Sequence, residues 1–434
     1  MAKCKGSSER RGPSRPGVTF NGLCRLAGVV AGIVLFSAGC PKNPHDITGT
    51  DNTDTLGDTT RPSRVVDLRT SGQTPVSATL CWTAPGDDGT VGTASEYLLR
   101  LSTDSIIETN FDSANSCWVD WPLAQGETQC QSIYNLVGDS TYWVAIKTRD
   151  ERNNWSDLSN VVRLTCPTDS IRTFPDSSLE LAVRRAIRVP SEPIRQSRLD
   201  SLKLLNAEYM HVSNLSGIQN CRYLLHLVLR SNKIADISLL SGIAPLRHLN
   251  LTDNLVTDIT ALGSLSLLDT LYLGENPVSD LSAIAGLTQL HDLAVHSTGV
   301  SDLSPISGMV SLTRLNVGAC PIAHPAYLSQ LVNVSDLQAY ACNLTDISFL
   351  ASMTKLHDLG LAFNKILDIS PLENLDSLGS LSLYSNQITN LLPLVNNGGI
   401  GAGDGIDVSL NPLSDSSKGT YIPQLQARGV TVIW

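Results

Sequence analysis

An apolar residue returns every 22 positions through the second half of this 434-residue chain. The series comprises Leu224, Leu246, Leu268, Leu290, Leu312, Val334, Leu356 and Leu378. Further apolar residues follow three and five positions later in each unit. A fixed period of this length indicates a solenoid, because one unit cannot bury its own apolar face and must stack on its neighbours. Such a protein presents a long, shaped surface, which favours recognition over catalysis.

The N-terminus has the order of a secretory signal. A basic leader precedes an uncharged stretch over 26–38, which is shorter than the about 20 apolar residues of a membrane-spanning helix. The stretch ends in Phe-Ser-Ala-Gly-Cys at 36–40, which resembles the bacterial lipobox and implies a lipid on Cys40. We therefore expect a lipoprotein signal peptide at 1–39. An ordinary signal peptide cut near Ala38 is the alternative.

The charge of the mature chain excludes one class of partner. Without the leader, 25 Lys and Arg residues stand against 40 Asp and Glu residues, a net charge of about −15. Nucleic acid binding depends on a basic surface, so nucleic acid is excluded. Pro41 rather than Asp follows Cys40, which favours the outer membrane or the cell surface. We expect an exported protein of the cell envelope, anchored to a membrane through the lipid on Cys40.

Two segments follow the expected cleavage site. Residues 40–62 are polar and rich in Thr, Asp and Gly, which predicts a flexible tether behind the lipidated cysteine. Residues 63–166 contain short alternating runs that predict strands at 77–83, 96–101 and 141–147, with turn residues between them. Several strands at this spacing indicate a β-sandwich.

Aromatic residues in the second segment carry a family resemblance. Trp82 lies on the expected strand at 77–83, Tyr97 lies on that at 96–101, and Leu136 precedes Tyr142 by six residues. This arrangement resembles the fibronectin type III domain, with Leu136 and Tyr142 at its tyrosine corner. The resemblance implies an all-β sandwich over 63–166, with the three aromatic residues in its core.

Four cysteines and one acidic loop in this segment leave alternatives open. Export makes disulfides available, and four cysteines allow three pairings. The cysteines are Cys81, Cys117, Cys130 and Cys166. The loop Gly-Asp-Asp-Gly at 86–89 has the residues of a tight turn, and a cation site is the alternative.

The solenoid is expected to carry a cap at each end, because terminal repeats must shield an apolar edge from water. A helical N-terminal cap is predicted at 174–201, and its helix would begin with Ser177 and Glu180 as a capping box. The buried face of this helix is expected to contain Leu179, Val183, Ala186 and Ile187. Repeats then occupy 202–413, and a C-terminal cap occupies 414–434.

The repeated unit itself resembles a known family. The run Leu-Arg-His-Leu-Asn-Leu-Thr-Asp-Asn at 246–254 and the ending Asn-Pro-Leu at 411–413 resemble the 22-residue leucine-rich repeats of bacterial internalin-like proteins. The resemblance covers about 174–434 and transfers no ligand residue. The expected fold class is multidomain, an all-β fibronectin type III-like sandwich followed by a leucine-rich repeat solenoid with a parallel concave β-sheet.

Position nine of the unit, counted from the periodic apolar residue, is usually Asn. We expect this side chain to turn inward and bond buried backbone groups at the bend. The residues are Asn232, Asn254, Asn276, Asn364, Asn386 and Asn411. Thr298, Cys320 and Cys342 replace Asn in three units, and Cys is a recurrent substitute in this pattern. The two thiols are interpreted as part of this ladder, with a redox or metal pair or an opportunistic disulfide as alternatives.

Position thirteen is usually Asp, with Ser or Thr two residues later. This pair predicts an Asx turn or a helix cap. The residues are Asp236, Asp258, Asp280, Asp302, Asp346 and Asp368. A calcium-binding column of carboxylates is the alternative.

Side chains at positions three, five, seven and eight are expected to face outward from the concave sheet. Aromatic and Arg residues are enriched among interface anchors. The candidate ligand-binding residues at these positions are Tyr272, His296, Arg314, Tyr340, Phe363 and Tyr384. His226 and His248 are expected one above the other as a plain surface pair, with a metal or pH-sensitive pair as the alternative.

The sequence contains no motif of zinc hydrolases, serine hydrolases, dithiol oxidoreductases or phosphate-loop enzymes. We therefore expect neither catalysis, nor a cofactor, nor a bound metal. The predicted function is that of a lipid-anchored envelope protein that binds a protein or glycan through the concave face. A periplasmic structural scaffold and a non-catalytic carbohydrate-binding accessory of a secreted hydrolase are the alternatives.

Overall fold

The computed structural model describes residues 59–434, which form one compact unit. The expected signal peptide, Cys40 and nearly all of the expected tether lie outside the described residues. Within the described part of the chain, no helix has the length and apolar character needed to cross a membrane.

Two antiparallel sheets form the N-terminal part of this unit. Their strands are β1 (Arg69–Gln73), β2 (Ser77–Thr83), β3 (Glu96–Ser102), β4 (Asn115–Cys117), β5 (Thr128–Tyr134), β6 (Thr141–Arg149) and β7 (Val162–Thr165). One sheet has the order β1-β2-β5 and the other β4-β3-β6-β7. The three strands expected from the sequence coincide with β2, β3 and β6.

Residues of both sheets share one hydrophobic cluster. The ring of Trp82 meets that of Tyr97 edge-on, with centroids 5.2 Å apart, and both side chains are buried. The backbone N–H of Val137 donates to the hydroxyl of Tyr142 at 3.1 Å, which ties the loop before β6 to that strand. The core role predicted for Trp82 and Tyr97 is therefore observed, whereas Tyr142 is only half-buried against the cluster.

One disulfide joins the first sheet. Cys81 and Cys130 lie directly opposite each other on β2 and β5 and are bonded. Cys117 and Cys166 are free thiols. Of the cysteine pairs left open by the sequence, the structure forms this one, because the register of the two strands brings the two Cα atoms to 4.1 Å.

The loop at 86–89 forms a tight turn. The N–H of Asp88 donates to the carbonyl of Val91 at 3.1 Å, and the N–H of Val91 returns a bond of 3.2 Å. Gly89 has a φ of +63°, which a Cβ would make unfavourable. Burial and the neighbouring carboxylate of Glu151 raise the pKa of Asp87 to about 7.

The N-terminal cap contains α1 (Ser177–Ile187) and α2 (Gln196–Asp200). The capping box expected at Ser177 is wrong. Asp176 is the N-cap, and its Oδ1 accepts from the N–H groups of Ser178 and Leu179, both at 3.0 Å. The Asp176 carboxylate is favoured over the Ser177 hydroxyl as the cap, because its second oxygen also accepts from the N–H of Ser213 in the first repeat, at 2.8 Å.

The buried face of α1 also differs slightly from the expectation. Leu179 and Val183 are buried as predicted, and Ala182 joins them. Ala186 is exposed, and Ile187 is half-buried against the core of the solenoid.

Eleven parallel strands form a single sheet in sequence order. They are β8 (Leu204–Asn206), β9 (His226–Val228), β10 (His248–Asn250), β11 (Thr270–Tyr272), β12 (Asp292–Ala294), β13 (Arg314–Asn316), β14 (Asp336–Gln338), β15 (Asp358–Gly360), β16 (Ser380–Ser382), β17 (Gly405–Asp407) and β18 (Thr431–Ile433). Neighbouring strands pair in register from one unit to the next, as Leu227, Leu249 and Leu271 show. The 22-residue period therefore predicts this register correctly.

Short helical turns return the chain on the opposite side of the sheet. The 3-10 turns are Ile218–Asn220, Ser238–Gly242, Thr260–Ser264, Ser282–Ile284, Ser304–Ile306, Pro325–Gln330, Ser348–Ser352 and Ser370–Leu372. The C-terminal turns are α3 (Leu392–Asn396), a π-helical turn Ser417–Tyr421 and α4 (Ile422–Ala427). Apolar residues between the sheet and these turns form one continuous core from the cap to Val430.

The asparagine ladder has the predicted role. Oδ1 of Asn254 accepts from the N–H of Ile234 at 3.0 Å, and its Nδ2 donates to the carbonyls of Leu229 and Leu251, both at 2.9 Å. Each such residue thus satisfies backbone groups of its own repeat and of the preceding one. The same bonds recur at Asn232, Asn276, Asn364, Asn386 and Asn411.

The two ladder cysteines are buried free thiols. The Sγ of Cys320 donates to the carbonyl of Val295 at 3.1 Å, and the Sγ of Cys342 to that of Val317 at 3.1 Å. Each thiol thus reaches the carbonyl of the preceding repeat that an Asn amide would reach. Burial raises the pKa of Cys342 to about 11, which keeps it protonated as a donor.

The aspartate column forms the predicted Asx turns. Oδ1 of Asp236 accepts from the N–H of Ser238 at 2.8 Å, and the bond recurs at the other column members Asp258, Asp280, Asp302, Asp346 and Asp368. Asn214 and Asn390, which the sequence pattern did not single out, form the same turn at 2.8 and 3.0 Å. An uncharged amide forms the same backbone bond, so this turn does not require a carboxylate.

Candidate functional site

Outward side chains of the parallel sheet build the candidate site. In β8 to β17 the middle residue is buried in the core, as Leu293 is in β12. The residues on either side of it are directed toward the concave face. A depression of about 540 Å³ lies in the middle of this face. It is lined by Tyr272, Asp292, His296, Arg314, Asn316 and Gln338, among others.

Asp292 is the centre of a hydrogen-bonded network in this depression. Its Oδ2 accepts from the hydroxyl of Tyr272 at 2.7 Å and from Nε of Arg314 at 2.8 Å. Nη2 of Arg314 also lies 2.7 Å from the same oxygen. Asp292 is only 7 % exposed, and a buried carboxylate requires such partners to offset its lost hydration.

Electrostatics keep the proton on Tyr272 and on Arg314 in this network. Burial and the adjacent Asp292 raise the pKa of Tyr272 to about 12, so the phenol keeps the proton that it donates. The carboxylate of Asp292 also raises the pKa of the Arg314 guanidinium. The network therefore presents a fixed donor and acceptor pattern at neutral pH, and 60 % of the Arg314 side chain is open to solvent.

Glycines at position seven shape the rim of the depression. A Cβ on Gly274 would lie 2.2 Å from Cε1 of His296, and a Cβ on Gly318 would lie 2.2 Å from Cε1 of Tyr340. Each ring therefore occupies the space above a glycine of the preceding repeat. Nε2 of His296 lies 3.6 Å from Oε1 of Glu275, which closes one side of the depression.

A row of rings leads into the depression from the N-terminal repeats. The centroids of His226 and His248 are 5.9 Å apart, and the ring of His248 meets that of Tyr272 edge-on at 5.7 Å. Burial and the neighbouring His226 lower the pKa of His248. Within residues 59–434, no group of three or more His, Cys, Asp or Glu residues has the arrangement of a metal site.

The six candidate residues from the sequence fall into three groups. Tyr272, His296 and Arg314 line the depression. Tyr340 is in the same repeat as Gln338 but packs over Gly318 and does not line the depression. Phe363 and Tyr384 form a separate edge-to-face pair, with centroids 5.0 Å apart.

Sequence reasoning missed Asp292, the residue that joins Tyr272 to Arg314. A search for aromatic and Arg anchors does not select an aspartate. A usable signal was present, because Asp292 and Arg314 occupy position three of successive units and must therefore be neighbours across the sheet.

Comparison with known sequences gives a partial match. No protein-family model matches this chain. Calcium-activated chloride channel regulator 1 of Mus musculus is 31 % identical over 139 residues, which cover 28 % of this chain and 15 % of that protein. The chain thus spans about one seventh of the length of that relative.

Solved structures match a larger part of the chain. An internalin (inlF) of Listeria monocytogenes is 28 % identical, covers 60 % of this chain and 88 % of its own, and has a TM-score of 0.51. Internalin C2 of the same organism is 30 % identical and covers 50 % of this chain and 94 % of its own, with a TM-score of 0.46. The LRR ectodomain of the plant receptor kinase GASSHO1/SCHENGEN3 from Arabidopsis thaliana is 25 % identical over 49 % of this chain and 27 % of its own, with a TM-score of 0.42.

The eleven-stranded parallel sheet and the similarity to inlF both indicate the same fold. The chain therefore contains a leucine-rich repeat solenoid that is similar to that of internalins.

Proposed function

We propose that this protein is a lipid-anchored adhesion or interaction protein of the cell envelope, on the outer membrane or the cell surface, and that its solenoid binds a protein ligand. The observation that carries the proposal is the Tyr272–Asp292–Arg314 network in the concave depression. The likeness to inlF supports an interaction role for the solenoid over a catalytic one.

Rigid presentation is the mechanism of this recognition. The backbones that carry Tyr272, Asp292 and Arg314 are paired in one sheet, and their side chains are bonded before a ligand arrives. A ligand therefore meets groups whose rotamers are already restricted, which reduces the ordering cost of binding. The partly exposed guanidinium of Arg314 is the anchor, because planar Arg groups bind carboxylates and backbone carbonyls with defined geometry.

The same proposal assigns the parts outside the solenoid. Residues 63–166 are a fibronectin type III-like domain, which the two antiparallel sheets and the Trp82–Tyr97 contact support. Residues 40–62 are the tether, and Cys40 carries the lipid. The tether and this domain would hold the solenoid away from the membrane.

A photocrosslinking experiment tests the concave site. A photoreactive amino acid replaces Asn316 in the depression, and a matched protein carries it at Gly286, an exposed convex position with open space around it. On envelope and target-cell preparations, we expect a protein adduct from position 316 but not from 286, and its loss in Arg314→Ala. Equal adducts from both positions would contradict a concave site.

Lipid attachment needs its own experiment. Cells fed a clickable fatty acid should label the wild-type chain and leave Cys40→Ala unlabelled. Protease added to intact cells should degrade the solenoid if it is on the surface. Full resistance to protease with a labelled Cys40 would favour the periplasmic scaffold instead.

A further inference from the structure

Two tryptophans of the N-terminal part project into solvent. Trp118 is 74 % exposed and Trp121 is 71 % exposed. Both belong to the segment 117–123 between β4 and β5, which we call the tryptophan loop. Indole rings are large and apolar, and they are largely buried in most proteins. The exposure of two such rings in one loop is therefore unusual and indicates a contact surface.

Buried glutamines of β5 hold this loop in place. Oε1 of Gln131 accepts from the N–H of Asp120 at 3.1 Å. Oε1 of Gln129 accepts from the N–H of Leu123 at 3.1 Å, and its Nε2 donates to the carbonyl of Trp121 at 2.9 Å. Gln129 is 4 % exposed and Gln131 is 7 % exposed.

The glutamines hold the backbone of the tryptophan loop. A buried amide side chain is costly unless it is hydrogen-bonded, and both glutamines bond the backbone of the tryptophan loop. The backbone of the loop therefore cannot leave this position without leaving these amides unsatisfied. The two exposed rings are carried on an ordered backbone, and Trp supplies a large contact area at a low conformational-entropy cost in binding loops.

A depression of about 330 Å³ lies beside the rings, between the tryptophan loop and β3. This volume is at the small end of the range for ligand sites. Its lining includes Trp118, Trp121, Ser116, Asp120 and Glu96, and the Glu96 carboxylate is paired with the guanidinium of Arg149. Among the described residues that line it, none is Lys, Arg or His.

This combination identifies the class of ligand. Flat indole faces pack against the C–H faces of sugar rings, and carboxylate and hydroxyl groups accept and donate hydrogen bonds to sugar hydroxyls. Anionic phospholipid headgroups are attracted by basic residues, and none of the residues that line this depression is basic. We propose that the tryptophan loop is a binding site for a neutral glycan, separate from the concave face of the solenoid.

Oligosaccharide titration tests the proposal. Residues 59–434, which form a compact unit with their own core, are titrated with oligosaccharides of glucose, of N-acetylglucosamine and of galactose. Binding is followed by tryptophan fluorescence and by calorimetry. The test variant is Trp118→Ala/Trp121→Ala. The matched control is Tyr134→Ala, because Tyr134 is 69 % exposed on β5 of the same part of the chain.

We expect the wild type and Tyr134→Ala to bind at least one of these oligosaccharides, and the double variant to bind it about tenfold more weakly or not at all. Asp120→Asn keeps both rings and should weaken binding to a smaller extent. Thermal unfolding should be the same for all four proteins, because the altered side chains are exposed.

Three results would overturn the proposal. They are no calorimetric binding of any oligosaccharide by the wild type, equal binding by the double variant, and tryptophan-dependent binding to phosphatidylglycerol vesicles without binding to a sugar. The concave variant Arg314→Ala should leave sugar binding unchanged, so this site and the solenoid site can fail independently.

Discussion

Asp292 and Arg314 stand at the same position of successive repeats, and Nε of Arg314 lies 2.8 Å from the Asp292 carboxylate. The pair is asymmetric. Only 11 % of the Asp292 side chain is exposed, against 60 % of the Arg314 side chain. The carboxylate is therefore the buried member that orders the site, and the guanidinium is the member open to solvent, which the proposed function assigns to the ligand.

Tyr272 provides a titration test of this arrangement. The folded chain holds the phenolic proton up to about pH 12, whereas an unperturbed tyrosine loses it near 10.0. Stability linked to this proton is therefore present below pH 10 and is lost as the pH rises from there to about 12. The difference in near-ultraviolet absorbance between the wild type and Tyr272→Phe should report the ionisation of Tyr272 as a transition at high pH. In Asp292→Asn, the same transition should occur at lower pH. An unchanged transition in Asp292→Asn would contradict the network.

Asn254 tests the ladder. Asn254→Ala leaves the N–H of Ile234 without its side-chain acceptor. The carbonyls of Leu229 and Leu251 each lose one amide donor but keep a second, from Asn232 and Asn276. We expect the free energy of unfolding to fall by about 1–3 kcal/mol, the cost of one buried unsatisfied group. Asn254→Cys should cost less, since Cys320 and Cys342 bond a carbonyl from the same position. Urea denaturation measures both, and equal losses would show that the thiol is not a functional substitute.

Two adjacent glycines make a matched pair for backbone packing. A Cβ on Gly399 would lie 1.9 Å from the backbone carbonyl oxygen of Asp376, whereas a Cβ on Gly398 has nothing within 4 Å. Gly399→Ala should therefore lower the free energy of unfolding by about 1–3 kcal/mol, as overpacking does. Gly398→Ala should be neutral or slightly stabilising. Thermal denaturation of both variants checks the contrast. If Gly399→Ala lost no more stability than Gly398→Ala, the glycine run would be loosely held.

The Asx turns predict a response to acid. Hydrogen bonds from the residue two positions later lower the pKa of Asp236, Asp258, Asp302 and Asp346. A lowered pKa means that the stabilisation is present above the usual value of 3.8 and is lost as the pH falls through the lower folded values. Replacing all four by Asn should preserve the turns, because Asn214 and Asn390 form the same turn. The replacement should also make unfolding less sensitive to acid.

The control for that experiment is unfolding at neutral pH. The four-Asn variant and the wild type should have similar urea midpoints there, because an amide oxygen accepts the same N–H bond. A variant as acid-sensitive as the wild type would show that other carboxylates cause the response.

The sequence by itself determined the periodic features of this protein. The strands, their register, the asparagine ladder and the Asx turns follow from contacts between equivalent positions of successive units, so one spacing predicts them all. The burial of Trp82 and Tyr97 was also predictable, because a large aromatic residue in a strand of alternating apolar and polar residues usually faces the core.

The tertiary structure decided the features that depend on contacts outside the period. Asp176 replaced Ser177 as the cap because its second oxygen also reaches the first repeat. The Cys81–Cys130 pairing depended on the register of two antiparallel strands. Asp292 entered the site because a side chain must reach across neighbouring strands to two different partners, and only the packed sheet brings those three groups within hydrogen-bonding distance.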